Sequence, residues 1–154
     1  SEEASLSLDE LSASPLPLEV GEMLGPEGTE ELDESAILRW SGTLVEPHHL
    51  VRNVRRAAIA DGNVEIHSKL AEMWSKRSGA RARRMEAHHR IESGEDIDPE
   101  WVSESVREIT SVDSAAAAVV LDHAISLSPE EGLVEMAIDL ALSSVPSLAV
   151  MVSV

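Results

Sequence analysis

The residues with the clearest chemical potential lie between positions 47 and 91 of this 154-residue chain. This basic segment holds ten of the twelve Lys and Arg residues and five of the six His residues, but only four acids. Its formal charge is +6, whereas the rest of the chain carries −23. Guanidinium groups form paired, charge-assisted hydrogen bonds with phosphates and carboxylates. The residues expected to bind a partner or a phosphate are therefore Arg52, Arg55, Arg56, Arg81, Arg83, Arg84 and Arg90.

Nucleic-acid binding is one function that such a segment predicts. A helix over 47–60 would place Arg52, Arg55 and Arg56 on one side, away from its apolar residues. The next helix follows after a short Asp-Gly-Asn turn, as in a helix-turn-helix. The match is poor, because the second helix has no apolar anchor at the position this motif needs. The net charge of −17 also opposes long-range attraction to DNA.

Two Glu-x-x-His pairs invite a metal hypothesis, Glu46 with His49 and Glu86 with His89. This spacing places a carboxylate and an imidazole on one helix face, as in di-metal helical bundles. Pro47, however, would put Glu46 at a helix start, and the helix carrying the second pair is very polar. The sequence therefore predicts no metal site and no other cofactor, with His49, Glu86 and His89 as weak candidates.

Catalytic motifs are absent from the sequence. No Ser lies in a Gly-x-Ser-x-Gly elbow, no glycine-rich phosphate loop occurs, and the chain has no Cys. Asp122 and His123 fall in an apolar helix, where a buried, hydrogen-bonded histidine is a commoner arrangement than a catalytic one. We therefore expect a protein that is not an enzyme.

The elements that must position these residues are predicted to be helical. Phe and Tyr are absent, so the core must come from Ala, Val, Leu, Ile and Met. Capping signals and apolar spacing predict helices over 30–41, 47–60, 64–76, 80–91, 99–111, 113–127 and 129–144. Pro47 is placed at the start of the second of these, and helix 80–91 is expected to be exposed or buried only against a partner.

The predicted fold is all-α, a compact bundle of five or six short helices. Residues 1–28, acidic and punctuated by Pro and Gly, form an extended N-terminal arm, and the helical domain covers 29–145. Its core is a hairpin over 113–144. Residues 146–154 form a short, extended apolar tail.

The composition also bears on location. The acid surplus and the preference for Arg over Lys resemble proteins adapted to high salt, where repulsion among acids is screened. No signal-peptide pattern is visible and no apolar run is long enough to span a membrane. We expect a cytoplasmic or virion protein.

Segregated charge, an arm and an apolar tail together predict a non-enzymatic assembly or adaptor protein. It would act by protein–protein docking or self-association, for example as a repeated structural subunit of a virion. The alternatives are a nucleic-acid-binding regulator that uses residues 47–91, and a metal-binding helical bundle.

Overall fold

The computed structural model describes residues 1–62, 64–127 and 129–143. These residues form eight α-helices and one three-stranded sheet, so the prediction of a mainly helical protein is confirmed. The expectation of five or six helices without a sheet is wrong. The chain divides into two compact units, Ser1–Met73 and the part that begins at Trp74, which are called unit 1 and unit 2.

Unit 1 combines helices with the small sheet. Its elements are α1 (Glu2–Ala13), β1 (Leu18–Glu19), a 3-10 turn (Val20–Glu22), α2 (Thr29–Glu34), β2 (Leu38–Ser41), β3 (Leu44–Pro47), α3 (His49–Gly62) and most of α4 (Glu65–Ser75). The strands lie antiparallel in the order β1-β3-β2.

Helix α1 occupies the first half of the predicted arm, so the expectation of an extended segment there is wrong. The Ser1 hydroxyl accepts a hydrogen bond from the Ala4 N–H and caps the helix, and acids fill its first turn. Its buried face includes Ala4, Ser7 and Glu10, which carry little apolar character. Ser7 Oγ donates to the Gly25 carbonyl and accepts from the Gly28 N–H, so polar bonds tie the following loop to α1.

The predicted helix 30–41 ends early because the chain turns into a β-hairpin. Helix α2 stops at Glu34, and Ala36 takes a left-handed φ of 57°. Gly42, with φ of 62°, sits in the two-residue loop between β2 and β3, where a positive φ suits hairpin geometry. Pro47 is the last residue of β3 and not the first of a helix, so that placement was also wrong.

Unit 2 packs four helices around an aliphatic core. The helices are α5 (Ala80–Glu92), α6 (Pro99–Thr110), α7 (Ser114–Leu127) and α8 (Glu131–Ser143). Asp98 caps α6 by accepting from the Glu100 N–H, with Pro99 at the first helical position, as the sequence predicts. The core is built from Ala87, Ile91, Val102, Val106, Ile109, Ala116, Ala117, Val120, Leu121, Ala124 and Leu133.

One face of helix α5 is buried within unit 2, against the expectation that the helix would be exposed or buried only against a partner. Its inward face holds Ala82, Met85 and Ala87, together with the polar residues Glu86 and His89. Small alanines let α5 approach its neighbours closely, and this leaves little apolar periodicity in the sequence to reveal the buried face.

The predicted apolar tail, 146–154, lies outside the described residues, as does residue 144 at the end of the predicted helix 129–144. Among the helices that the structure describes, none combines the length and the apolar character that crossing a bilayer requires.

Candidate functional site

Two arginines of α3 connect this helix to α1 within unit 1. Arg55 forms an ion pair with Asp9 of α1. The Arg56 Nε donates to the Ser12 carbonyl at 2.6 Å, and its Nη2 donates to the Ser14 carbonyl at 2.7 Å. These carbonyls end α1, so Arg56 satisfies open acceptors at the negative end of the helix dipole.

Arg52 is also engaged within unit 1. Its Nη1 lies 3.4 Å from Oε2 of Glu46 at the end of the sheet, and both side chains are about three-quarters buried. Of the residues predicted to bind a partner, the three in unit 1 therefore all make internal contacts.

The arginines of α5 differ in how far they are exposed. Arg83 lies 3.0 Å from Glu86 of the same helix and 3.1 Å from Glu108 of α6. Arg81 is exposed and Arg84 is half-buried. Arg83 thus joins α5 to α6 through carboxylates of both helices.

Arg90, the last predicted binding residue, stacks on an aromatic ring. Its guanidinium carbon lies 4.2 Å from the ring centroid of Trp101 at the start of α6. Its Nε is 3.9 Å from a carboxylate oxygen of Glu95. A cation over an indole face is stabilised by the ring quadrupole, so this contact fastens the loop between α5 and α6.

The weak metal candidates do not share one unit. His49 begins α3 in unit 1 and is exposed, whereas Glu86 and His89 lie in unit 2 with exposures of 3% and 1%. The Glu86 carboxylate is already paired with Arg83. Glu46 lies in β3, so the first Glu-x-x-His pair does not fall within a helix.

A different set of potential metal ligands meets in unit 2. His88 and Glu92 of α5 and His123 of α7 each place one ligand atom within 4.8 Å of the others. His123 Nε2 lies 3.0 Å from Oε1 of Glu92, and the two imidazole centroids are 5.8 Å apart. The side chains of His123 and Glu92 are 27% and 42% exposed, so solvent reaches this His–Glu–His cluster.

Core packing brings the His–Glu–His cluster together. His88 and Glu92 are four residues apart on α5 and share a face. The neighbouring Ala87 and Ile91 pack in the same core as Ala124 of α7, the residue after His123. The i,i+4 spacing was available in the sequence, but nothing there shows that His123 faces α5. The sequence-based prediction consequently named none of these three residues as a metal candidate.

A second feature of unit 2 is an apolar groove of about 440 Å³ between α7 and α8. Small and aliphatic side chains line most of it, with one carboxylate. The lining residues are Ser114, Ala115, Ala118, Leu121, Asp122, Ile125, Ala137, Leu140 and Ala141.

Among the described carboxyl groups of unit 1, buried Glu10 and exposed Glu31 have clearly shifted pKa values. Burial raises the pKa of Glu10, although its carboxylate accepts hydrogen bonds from the Leu24 and Gly25 N–H groups. Glu10 holds the loop after the 3-10 turn against α1, and we assign it a structural role.

In comparisons with known proteins, no family model, no curated protein and no solved structure matches this chain.

Proposed function

We propose that this protein is a non-enzymatic adaptor that docks a helical segment of another protein in the groove between α7 and α8. The observation that carries the proposal is the apolar groove itself. Ile138 and Leu142 of α8 do not line it, but at 55% and 67% exposure they add exposed apolar surface to the same helix. Apolar surface that stays in water does not contribute the free energy of about 25 cal/mol per Å² that its burial would provide. Clustered exposed apolar residues are typical of interaction sites.

The apolar arc of α8 is wider than its contact with the core requires. Leu133, Ala137 and Leu140 face the core of unit 2. Val134 and Ile138 follow on the adjoining side of the helix, at the 100° rotation between successive residues. A helix that only closed the bundle would carry polar residues there, so the second apolar side supports a contact with a further element.

The shape of the groove favours a helix as the bound element. Ala115, Ala118, Ala137 and Ala141 all line it, and none carries a side chain long enough to hold a helix backbone away. Apolar side chains of an incoming helix can then enter the groove, as in helix-in-groove recognition.

Charge around the groove favours a basic partner. Asp122 lines the groove on the α7 side. On α8, Glu131, Glu135 and Asp139 recur every fourth residue and form an acidic stripe beyond the exposed apolar side chains. Together with a chain charge of −17, these carboxylates would attract an amphipathic helix with Lys or Arg flanking its apolar face.

The contacts of the arginines do not support the alternative of nucleic-acid binding. Arg52, Arg55 and Arg56 make internal contacts in unit 1, as do Arg83 and Arg90 in unit 2. Each would have to exchange an internal partner for a phosphate. Phosphate binding, and assembly into a virion or similar particle, stay predictions.

The test is a titration of the full chain into a fluorescently labelled model peptide, followed by anisotropy. The peptide carries Leu at every third or fourth position and Lys on both flanks. Ala118→Glu places a charge in the apolar groove and is expected to weaken binding by about tenfold or more, equivalent to 1.4 kcal/mol. Ala58→Glu is the matched control, because Ala58 is an exposed helical alanine of α3 and the charge change is identical.

Four results would contradict this assignment. The peptide could fail to bind, or Ala58→Glu could weaken binding as much as Ala118→Glu. Light scattering could reveal a dimer that Ala118→Glu dissociates, which would make a second copy the occupant. A chain ending at Ser143 could bind the peptide much more tightly than the full chain, which would identify residues 144–154 as the natural occupant.

A further inference from the structure

We propose that His88, Glu92 and His123 form a binding site for a divalent transition-metal ion, with Zn²⁺ the ion that fits best. Two imidazoles and one carboxylate are the protein ligands of many catalytic zinc sites. The site is independent of the docking groove, because none of its three residues lines that groove.

The separations within the His–Glu–His cluster are close to those of a loaded site. Zinc bonds to nitrogen and carboxylate oxygen are about 2.0–2.2 Å, so tetrahedral ligand atoms lie roughly 3.4 Å apart. The His123 Nε2 and Glu92 Oε1 atoms are already 3.0 Å apart, and no pair of ligand atoms is separated by more than 4.8 Å. Rotation of the half-exposed side chains is enough to close the remaining distance.

The backbone that carries the ligands is held by the core. Ala87 and Ile91 on α5 and Val120 and Ala124 on α7 are all buried in one cluster. The two helices therefore keep their spacing without the metal, and only side-chain rotation must be lost on binding. A site on packed helices holds its ligands more accurately than one on loops.

The ligand types select among metals. Imidazole favours Zn²⁺ and its neighbours Co²⁺, Ni²⁺ and Cu²⁺, whereas Ca²⁺ and Mg²⁺ prefer oxygen. Three protein ligands leave a fourth tetrahedral position for water. The single carboxylate of the cluster and the net charge of the chain, −17, also favour binding of a cation.

The test uses the full chain, stripped with a chelator and titrated with ZnCl₂ in a calorimeter. We expect one equivalent to bind. His123→Gln and Glu92→Gln should each weaken binding by about tenfold to a hundredfold or more, since even loss of an outer-shell contact has effects of that size. His49→Gln is the matched control, because His49 is exposed and lies in unit 1. Far-UV circular dichroism verifies that each variant is folded.

Cobalt gives a second readout that a purely structural contact between His123 and Glu92 would not produce. Co²⁺ bound by the cluster is expected to show the intense visible absorption of a four-coordinate ion, and His123→Gln should remove it. Saturating Zn²⁺, at about a hundred times the dissociation constant, should raise the melting temperature by about 5 °C or more.

Absence of stoichiometric Zn²⁺ binding to the stripped wild-type chain would overturn the proposal, leaving His123 and Glu92 as a structural contact only. Undiminished binding by His123→Gln and Glu92→Gln would also overturn it. Loss of binding in His49→Gln would move the site to unit 1 and contradict the assignment.

Discussion

Arg56 is predicted to contribute to the stability of unit 1 through its contacts with α1. Its guanidinium donates hydrogen bonds of 2.6 Å and 2.7 Å to the Ser12 and Ser14 carbonyls. Both serine residues are buried, so water cannot easily replace the guanidinium. Arg56→Met keeps most of the side-chain stem and removes both donors.

The expected loss of stability follows from the number and type of the hydrogen bonds that Arg56 donates. A hydrogen bond to a charged group contributes about 1.5–3 kcal/mol, and a cation at a helix C-terminus about 0.3–1 kcal/mol. The two bonds share one guanidinium, so their contributions are not additive. We expect Arg56→Met to lower the free energy of unfolding by about 3 kcal/mol.

Urea unfolding followed by far-UV circular dichroism measures this loss. Arg39→Met is the matched control, because Arg39 is exposed in β2 and the charge change is the same. Its effect should stay within about 0.5 kcal/mol. Equal, small effects of the two substitutions would refute the capping argument. If Arg56→Met left stability unchanged but abolished binding to a DNA duplex, Arg56 would be a phosphate ligand.

Three further predictions concern packing and ionisation. Ile109→Ala in the core of unit 2 should cost about 2–5 kcal/mol in urea unfolding, whereas Val112→Ala, at an exposed position, should cost under about 0.5 kcal/mol. Gly28→Ala should destabilise unit 1 by about 1–3 kcal/mol, because the added Cβ would collide with the α1 backbone. Gly21→Ala should not destabilise the unit, because no atom lies near the Cβ added there. Burial raises the pKa of Glu10, so the folded chain binds this proton more tightly than the unfolded chain. The contribution of Glu10 to stability is therefore complete below the unfolded pKa of about 4.3 and is lost as the pH rises through the folded pKa. A carboxyl ¹³C NMR titration of the folded chain should give a midpoint above the unfolded pKa.

Local signals allowed most of unit 2 to be predicted from the sequence. Asp98 and Pro99 indicate the start of α6, and the apolar run from Ala115 to Leu121 lies in α7. One side of that run is buried in the core, whereas Val119 is 61% exposed. These elements are specified by capping chemistry and periodicity within a few residues, so no knowledge of distant contacts is needed.

The incorrect sequence-based predictions for unit 1 have a shared physical cause. Helix α1 buries Ser7 and Glu10, whose hydrogen bonds reach residues 14 to 21 positions further along the chain. The hairpin depends on tertiary pairing of Leu38 with Pro47 and on the left-handed turn at Gly42. Apolar periodicity carries no information about such contacts.

The candidate sites likewise depend on packing between helices. His88 and His123 are 35 positions apart, and only the contact between α5 and α7 brings their rings together. The sequence analysis assigned the arginines to a partner or a phosphate, whereas Arg55 and Arg56 have acceptors on α1 more than 40 positions away in sequence. Spacing alone could not identify those acceptors.

Hydrogen exchange of the full chain, with and without the basic amphipathic peptide, tests the docking proposal most directly. The proposal predicts slower exchange in α7 and α8 when the peptide is bound, with α3 unchanged, and no such protection in Ala118→Glu. Protection confined to unit 1, or equal protection in the wild type and Ala118→Glu, would contradict docking in the groove.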